Sequence, residues 1–402
     1  MSTIVKTKAG DMLAQMGPEM YERAYKEGKN LSVFLEQEDR SGEYKDGTDA
    51  FQRLLIAADI RTDSLPEHGV KAATYGEFYE NKQARALIPE WLRRTWVEGQ
   101  TGRPFSTRAL YTSTDAAAGS WERPYAEAQA ARWSSQIAPA IPLSEVVAIT
   151  TPIDEGSYKA YYLTADAEET SMRRVAEGAE IPRAKLVGGE HTINLYKYGR
   201  GLEATYEQLK RQRVDKLALH VRRMAVQAEV DKLATIINVL VNGDGNSNAP
   251  TTYNLTTLDP AATAGTLTLK GWLAFKMKFA NPYAMTSALV QEGVALQMFL
   301  LNTGSANMPL VSVQQASGLG AFTSMNPGLR DNVAVGWVGD APANKIVAFD
   351  RRFAIERIVD IGMTLTEVEQ FVSRQTQLLV MTEAEGYAVI DQNAIGILDL
   401  AA

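Results

Sequence analysis

The longest hydrophobic pattern in the chain runs from Val214 to Val241. Its apolar residues recur every three to four positions, which is the spacing of one face of an α-helix. They are Leu217, Ala218, Val221, Ala225, Ala228, Val230, Leu233, Ala234, Ile237, Leu240 and Val241. Neither Pro nor Gly interrupts the pattern before Asn242-Gly243, which predicts a left-handed C-cap at that point. The pattern predicts a helix roughly 42 Å long at about 1.5 Å per residue, called here the spine helix.

Two strand-like segments joined by a long charged connection precede the spine helix. They begin at Ser157 (SYKAYYLT) and His191 (HTINLYKYG). The 25 residues between them, Ala165 to Gly189, carry five acids and four bases and are called here the excursion. A two-stranded ribbon alone in water is marginally stable, and so long a connection is usually functional or disordered. We expect the ribbon to lie on another protein subunit; a mobile surface loop is the alternative.

The first 135 residues carry shorter helical patterns. Helices are predicted over Asp11–Glu27, Asp49–Ile60 and Glu77–Trp96, with Thr48 as the N-cap of the second. Polar turns such as SGEYKDGT separate them. One interpretation is an ordinary helical subdomain. The other, which we favour because residues 99–120 have the composition of a linker, is an extended arm that reaches over neighbouring subunits.

The residues after 250 predict a mixture of helices and strands. Helices are predicted over Leu269–Ala280 and Gly293–Leu301, with a buried strand over Ala284–Val290 between them. The stretch Gln314–Asp331 reads as a loop. From Lys345 onwards, period-2 alternation and β-branched residues predict several strands. The chain as a whole is therefore predicted to be α+β.

Composition narrows the functional classes. With 402 residues, 45% of them hydrophobic and 22% charged, the chain is typical of a soluble protein of two or three domains. A net charge of −7 gives no support for a dedicated nucleic-acid binder. No run of 18 apolar residues and no signal peptide is found, so we expect synthesis in a cytoplasm and no membrane partner. The absence of cysteine excludes disulfides and thiolate chemistry.

A search for catalytic and metal-binding motifs gives no strong candidate. The histidines at 68, 191 and 220 form no zinc-binding pattern. Asp244, Asn246 and Asn248 match the first ligands of a calcium loop, but Ala249 and Leu255 stand where Gly and Glu are needed, so a polar turn is the better interpretation. Dinucleotide, P-loop and nucleophile-elbow motifs are also missing from the sequence. We predict neither an enzyme nor a bound cofactor or metal.

The spine helix is locally basic. Between Glu207 and Lys232 it carries seven bases and four acids, a local charge of +3 within an acidic chain. The bases are Lys210, Arg211, Arg213, Lys216, Arg222, Arg223 and Lys232. A solvated helix face and a face turned toward a polyanion both remain open.

The order of these signals resembles the major capsid proteins of tailed bacteriophages with the Hong Kong 97-type fold. The resemblance covers about 121–400. It is carried by VAEGAEIPRAK (Val175–Lys185), by the return strand HTINLYKYGRGLEATYEQL, and by the NGDG that ends the spine helix at Asn242–Gly245. The C-terminal strands, VAFDRRFAIERIV through AEGYAVIDQNAIGIL, complete the set. Each piece alone is common in proteins, and the set in this order is specific.

The resemblance implies a domain organisation for the α+β fold, with a long spine helix, an extended two-stranded loop, and peripheral and axial domains. The expected segments are an N-terminal helical arm, the extended loop region with its ribbon at 157–199, the spine helix, the axial domain, and the peripheral-domain strands with the C-terminus. Their bounds are 1–135, 136–199, 200–249, 250–344 and 345–402.

The resemblance also implies a function. The chain is expected to self-assemble into hexamers and pentamers that form the icosahedral head around double-stranded DNA, and to be found in the virion after assembly in the host cytoplasm. A portal, and scaffolding or decoration proteins, would be further partners. An encapsulin-type nanocompartment shell and a soluble enzyme are the alternatives.

Two sets of residues are candidates for roles in such a shell. Arg222 and Arg223 are expected to face the lumen and to screen the packaged DNA. Excursion residues of both charges are expected to contact an adjacent subunit, and they are Arg173, Arg174, Glu177, Glu180, Arg183 and Lys185.

Some members of the capsid family crosslink covalently, joining an extended-loop Lys to a peripheral-domain Asn of another subunit. Lys185 is the only Lys of the excursion and is the available donor. The pattern of the C-terminal strands places Gln370 where the crosslinking members carry Asn. Because Gln is one methylene longer, its carboxamide would be out of line for an attack that needs near-contact geometry. We therefore predict a shell held by non-covalent contacts alone.

Overall fold

The computed structural model describes thirteen stretches of the chain. They are residues 9–27, 29–39, 48–62, 72–101, 105, 141–153, 157–164, 174–175, 187–279, 282–303, 308–309, 323–325 and 333–401.

The chain divides into two compact units. The first, called the helical unit, consists of Met1–Pro139, Gly199–Val230 and Thr364–Thr382. The second, called the sheet unit, consists of Ala140–Tyr198, Asp231–Met363 and Glu383–Ala402.

Short helices build most of the helical unit. Their bounds are Pro18–Lys26, Leu31–Glu38, Ala50–Ala57, Tyr75–Glu80, Lys82–Arg85, Ile88–Thr101 and Tyr206–Arg211. They pack, together with the first part of the spine helix, around one core that includes Leu35, Phe51, Leu92 and Val221. Within the described residues this packing is that of a helical subdomain, and a further reach of the N-terminal segment over neighbouring subunits stays a prediction.

Three details of these helices differ from the sequence-based expectation. The helix predicted over 11–27 is broken, because Gly17 is extended (φ −165°) and Pro18 starts a new helix where its missing N–H costs nothing. The long helix predicted over 77–96 is three helices, since the Asn81 side chain accepts hydrogen bonds from two backbone N–H groups and begins a new one. The N-cap predicted at Thr48 is Asp49, which forms a capping box with Gln52.

The spine helix runs from Val214 to Asn242, in agreement with the predicted pattern. It ends where the sequence places the C-cap, because Gly243 takes a φ of +80° and its N–H bonds to the carbonyl of Val239 at 2.8 Å. Most of the predicted apolar stripe is buried, from Leu217 to Leu240. Hydrophobic periodicity is therefore sufficient to find this element.

Fourteen strands are described. In chain order, β1 to β14 are Ile149–Ile153, Ser157–Thr164, Val187–Asn194, Tyr196–Thr205, Thr251–Asn254, Ser287–Val290, Asn302–Thr303, Met308–Pro309, Thr323–Met325, Val333–Trp337, Lys345–Phe349, Ile355–Phe371, Thr376–Val389 and Ile395–Asp399. A mixed six-stranded sheet has the order β5-β14-β11-β6-β10-β9, and a second sheet has the order β1-β12-β13-β4. The single return strand predicted over 191–199 is thus two strands, β3 and β4, separated at Leu195 and placed in different sheets.

The six-stranded sheet lies wholly in the sheet unit and is covered by helices. The predicted helices and strand near 269–301 are present as Leu269–Lys276, Glu292–Leu300 and β6. Trp272, Phe275 and Met298 pack from these helices onto apolar residues of the strands. Within the loop predicted over 314–331, only β9 at 323–325 is described. The helices Leu255–Leu258 and the 3-10 turns Leu143–Glu145 and Gln392–Ala394 complete the unit.

Candidate assembly surfaces

Strands β2 and β3 form a two-stranded ribbon in the sheet unit. Its strands are antiparallel, with Ser157 opposite Asn194 and Thr164 opposite Val187. In the described part of the chain neither strand pairs with any other. At about 3.4 Å per residue, eight paired residues extend roughly 27 Å.

The base of this ribbon is packed against the sheet unit. Ile193 of β3 is buried with Ile358 and Ala388, and Tyr158 of β2 packs against the same cluster. The far end leads directly into the excursion. A ribbon of this kind has too little core of its own to be stable alone, so its far end needs a surface to lie on.

Of the six excursion residues predicted to contact a neighbouring subunit, only Arg174 lies among the described residues, and it is exposed. Arg173, Glu177, Glu180, Arg183 and Lys185 lie outside them. Their inter-subunit role stays a prediction.

The two arginines predicted to face the lumen have different environments. Arg222 forms an ion pair with Glu98, with Nη2 at 2.7 Å from Oε2, and only 12% of its side chain is exposed. Arg223, one residue further along the helix, is exposed. Of this pair, Arg223 has the exposed side chain that contact with packaged DNA would require. Arg222 instead links two helices of the helical unit through its ion pair.

Because of this difference, we expect replacement of each arginine to change a different measured property. Arg222→Gln is expected to lower the free energy of unfolding by about 1–2 kcal/mol, because a hydrogen-bonded charge pair is lost. Arg223→Gln is expected to change it by less than about 0.5 kcal/mol and to reduce the retention of packaged DNA. Thermal unfolding of the subunit and the nucleic acid content of purified particles measure the two effects. Equal responses of full and empty particles to Arg223→Gln would contradict a role for Arg223 at DNA.

Lys232, counted from the sequence among the bases of the helix surface, is completely buried. Its ammonium group donates to Glu383 and, at 2.8 Å, to Oε1 of Glu385. Nε of Arg357 donates to Oε2 of Glu385 at 2.9 Å, and the hydroxyl of Tyr387 donates to the same oxygen at 2.9 Å. Two cations and two carboxylates therefore form one buried network between the spine helix and strands β12 and β13.

The network keeps the Glu385 carboxylate charged. Burial alone would raise the pKa of Glu385, but the hydrogen bond from Arg357 and the charge of Lys232 outweigh burial and hold that pKa below its usual value. Burial, reinforced by the charge of Glu385, raises the pKa of Tyr387 well above its usual value, so this hydroxyl remains a donor. A helical-wheel argument could have found Lys232, since it is seven residues after buried Ala225 and four before buried Ile236.

The Asp244 loop is a polar turn. Oδ1 of Asp244 accepts from the backbone N–H and the amide of Asn246, and Oδ2 accepts from the N–H of Val389 at 3.0 Å. Both oxygens are thus occupied by N–H donors, which fixes the end of the spine helix to β13.

Among the described residues, no three His, Asp or Glu side chains are grouped closely enough to hold a metal ion. Nor does any described helix have the length and apolar character needed to cross a membrane.

The helix Glu292–Leu300 exposes large apolar side chains on one face. Its other face buries Val294, Ala295 and Met298 against the six-stranded sheet. Leu296 and Leu300, one turn apart, are 54% and 77% exposed. An exposed apolar pair next to a fully formed core is typical of a surface that contacts another protein.

Comparison with known proteins agrees with these features. A family model described as "Phage capsid protein" matches residues 189–396, just over half of the chain. No curated protein matches the sequence.

The solved structures that match include the capsid of a native GTA particle, the virus-like particle from Pyrococcus furiosus and the capsid of the Myoviridae phage XM1. The GTA capsid shares 16% sequence identity with a TM-score of 0.46, over 64% of this chain and 90% of that one. For the Pyrococcus particle the values are 10%, 0.41, 64% and 91%. For phage XM1 they are 14%, 0.39, 64% and 90%.

The predicted mixture of helices and strands is present in the structure, and the predicted structural role in a phage capsid is confirmed by the family match. The family model covers the ribbon strand β3, the spine helix and most of the sheets, and so the chain belongs to the phage capsid protein family.

Proposed function

We propose that this chain is the major capsid protein of a tailed phage, which assembles with its own copies into hexamers and pentamers of an icosahedral head around double-stranded DNA. The two-stranded ribbon carries the proposal. It is anchored at its base by Ile193 and Tyr158 and pairs with no third strand in the described part of the chain. A second copy supplies the surface that stabilises its far end.

The exposed apolar face of the helix Glu292–Leu300 supports a second contact between copies. Leu296 and Leu300 lie in the segment 250–344 that the family resemblance assigns to an axial domain, where copies gather around the centre of a hexamer or pentamer. A portal protein, and scaffolding or decoration proteins, are the further partners we propose. The axial and peripheral assignments of the individual segments are part of this proposal.

Particle formation by the purified chain tests the proposal. We expect shells of tens of megadaltons by sedimentation and closed particles by negative-stain microscopy. Nucleic acid inside particles recovered from infected cells would support the phage head, whereas protein cargo without nucleic acid would favour an encapsulin-type compartment. A chain that stays monomeric under all assembly conditions would contradict both.

Reversal of two charges in the excursion tests the ribbon contact. Arg173→Glu with Arg174→Glu is expected to leave the subunit folded and to reduce particle yield strongly, because several exposed ion pairs of at most about 1 kcal/mol each are repeated around a closed shell. Circular dichroism checks the fold and sedimentation measures the yield. Arg61→Glu, an exposed reversal in the helical unit, is the control. Normal particles from the double variant would rule out this contact.

A shell without covalent crosslinks is the expected result for this chain. The Gln370 amide donates to the hydroxyl of Tyr79 within the helical unit, and the proposed donor Lys185 lies outside the described residues. Mature particles boiled in detergent should therefore run as one band at the monomer mass on a denaturing gel. A ladder of oligomers, or material too large to enter the gel, would overturn this prediction.

A further inference from the structure

An open cleft of about 540 Å³ in the sheet unit is lined by three arginines. They are Arg351, Arg352 and Arg357. Leu143, Val147 and Thr150 also line the cleft. The cleft lies where β1 begins to pair with β12, since Thr150 is opposite Arg357 in the register.

The acidic and basic side chains of this cleft differ in how far they are exposed to solvent. Arg352 is 58% exposed, whereas Asp350, which accepts hydrogen bonds from its guanidinium at 2.8 and 3.0 Å, is completely buried. Arg357 reaches the surface from Glu385, which is buried in the Lys232 network. Arg351 has an exposed partner, Glu145, with Nη1 at 2.5 Å from Oε2. Asp350 and Glu385 therefore lie inside while the guanidinium groups of Arg352 and Arg357 are nearer the surface, so this part of the cleft presents positive charge and suits an anionic partner.

The chain contains a matching acidic stretch. The first eight residues of the excursion, 165–172 (ADAEETSM), carry Asp166, Glu168 and Glu169 and no base. All four bases of the excursion come later, from Arg173 to Lys185. The acidic stretch directly follows β2, at the far end of the ribbon.

Strand β2 separates this stretch from the base of the ribbon. Near the base, the hydroxyl of Tyr158 bonds to Glu356 at 3.4 Å, and Glu356 is the neighbour of Arg357. The end of β2 lies six residues further along, roughly 20 Å at about 3.4 Å per residue. The acidic stretch therefore begins roughly 20 Å along the strand from the base, and co-expression of variants can distinguish the cleft of another copy from that of its own chain.

We propose that the arginine cleft receives the acidic stretch 165–172 of a neighbouring copy. The inference rests on the proposed assembly into a shell and names the surface on which the ribbon lies. Exposed guanidinium groups supply paired donors for carboxylates, and the buried carboxylates behind them hold the guanidinium groups in place.

Two variants with reversed charges, one in the cleft and one in the acidic stretch, test the contact. Their co-expression distinguishes a contact between copies from a contact within one chain. The cleft variant carries Arg351→Glu and Arg352→Glu, and the loop variant carries Glu168→Arg and Glu169→Arg. In either variant alone, every cleft faces a stretch of like charge, so particle yield should fall at least tenfold. When the two are co-expressed, the clefts of each match the stretches of the other, and mixed particles should form.

Co-assembly also needs folded subunits, which circular dichroism and thermal unfolding report. Since Arg352→Glu leaves the buried Asp350 without its guanidinium, Arg351→Glu paired with Glu168→Arg is the milder version of the same exchange. The control uses Arg61→Glu in place of the cleft variant. This control variant should form particles by itself, without co-expression of the loop variant.

Each outcome has a separate meaning. Mixed particles from two assembly-deficient variants support the proposal. Normal particles from the cleft variant alone would overturn the proposed contact. A pair of folded variants that fails to co-assemble would overturn it as well. Neither result would contradict the proposed capsid function. A cleft variant that forms normal shells but loses packaged DNA would also overturn the proposed contact, in favour of nucleic acid as the anion.

Discussion

Replacing Lys232 with Met is expected to lower the free energy of unfolding of the subunit by about 3–5 kcal/mol, because it leaves a buried carboxylate without its counter-charge. In the native subunit Lys232 and Arg357 balance Glu383 and Glu385. The substitution removes the ammonium group that both carboxylates contact. Chemical denaturation of the unassembled subunit measures the loss.

The double variant Lys232→Met with Glu383→Gln is the matched control for this prediction. It removes one charge of each sign and leaves the pair Arg357–Glu385, so we expect it to recover most of the lost stability. A single variant as stable as the unmodified subunit would show that Lys232 contributes no net charge compensation.

The same network predicts how stability depends on pH. The pKa of Glu385 is lower in the folded than in the unfolded chain, so its contribution is fully present above its ordinary value of 4.5 and is lost as the pH falls through the folded value. Denaturation curves recorded between pH 7 and pH 3 should therefore show a loss of stability on the acid side. Glu385→Gln should flatten that loss.

Replacing Gly99 with Ala is expected to destabilise the helical unit by about 1–3 kcal/mol, through overpacking. A β-carbon at this position would lie 2.7 Å from the carbonyl oxygen of Arg222, 2.8 Å from its Cα and 2.7 Å from Cβ of Ala225. Two of these atoms are backbone, so the helix Ile88–Thr101 would have to move away from the spine helix. Thermal unfolding of the subunit measures the cost.

Gly10 provides the matched control for Gly99. It is also helical, but a β-carbon there would meet nothing within 4 Å. Ala normally favours a helix over Gly by about 1 kcal/mol, so Gly10→Ala should be neutral or stabilising. If both variants were stabilised equally, the close approach of the two helices would not constrain position 99.

Elements that depend on local periodicity and caps could be predicted from the sequence. The spine helix follows from a single apolar stripe, and its end from the conformational freedom of Gly243. The mixture of helices and strands after residue 250 follows in the same way. The separation of β3 from β4 could not be predicted, because alternation continues through Leu195 while the change of sheet depends on distant partners.

The number of charged residues along the chain predicts the environments of the individual side chains poorly. It placed Lys232 and Arg222 on one basic surface, whereas the first is buried between carboxylates and the second is paired with Glu98. Both partners are more than a hundred residues away in sequence, so no local pattern contains them. The arginine cleft could not be predicted, because Glu145, the partner of Arg351, is 206 residues away and because the burial of Asp350 beside Arg352 depends on tertiary packing.

The anchored ribbon also has a mechanical consequence. A rigid rod fixed at one end acts as a lever arm, and for a ribbon of roughly 27 Å a rotation of about 5° at the base displaces the far end by roughly 2 Å. In the proposed shell the same chain would meet its neighbours at more than one angle, flatter between hexamers and more curved beside pentamers. Small rotations where Tyr158 and Ile193 enter the sheet unit would let one sequence accommodate these different curvatures without changing its core.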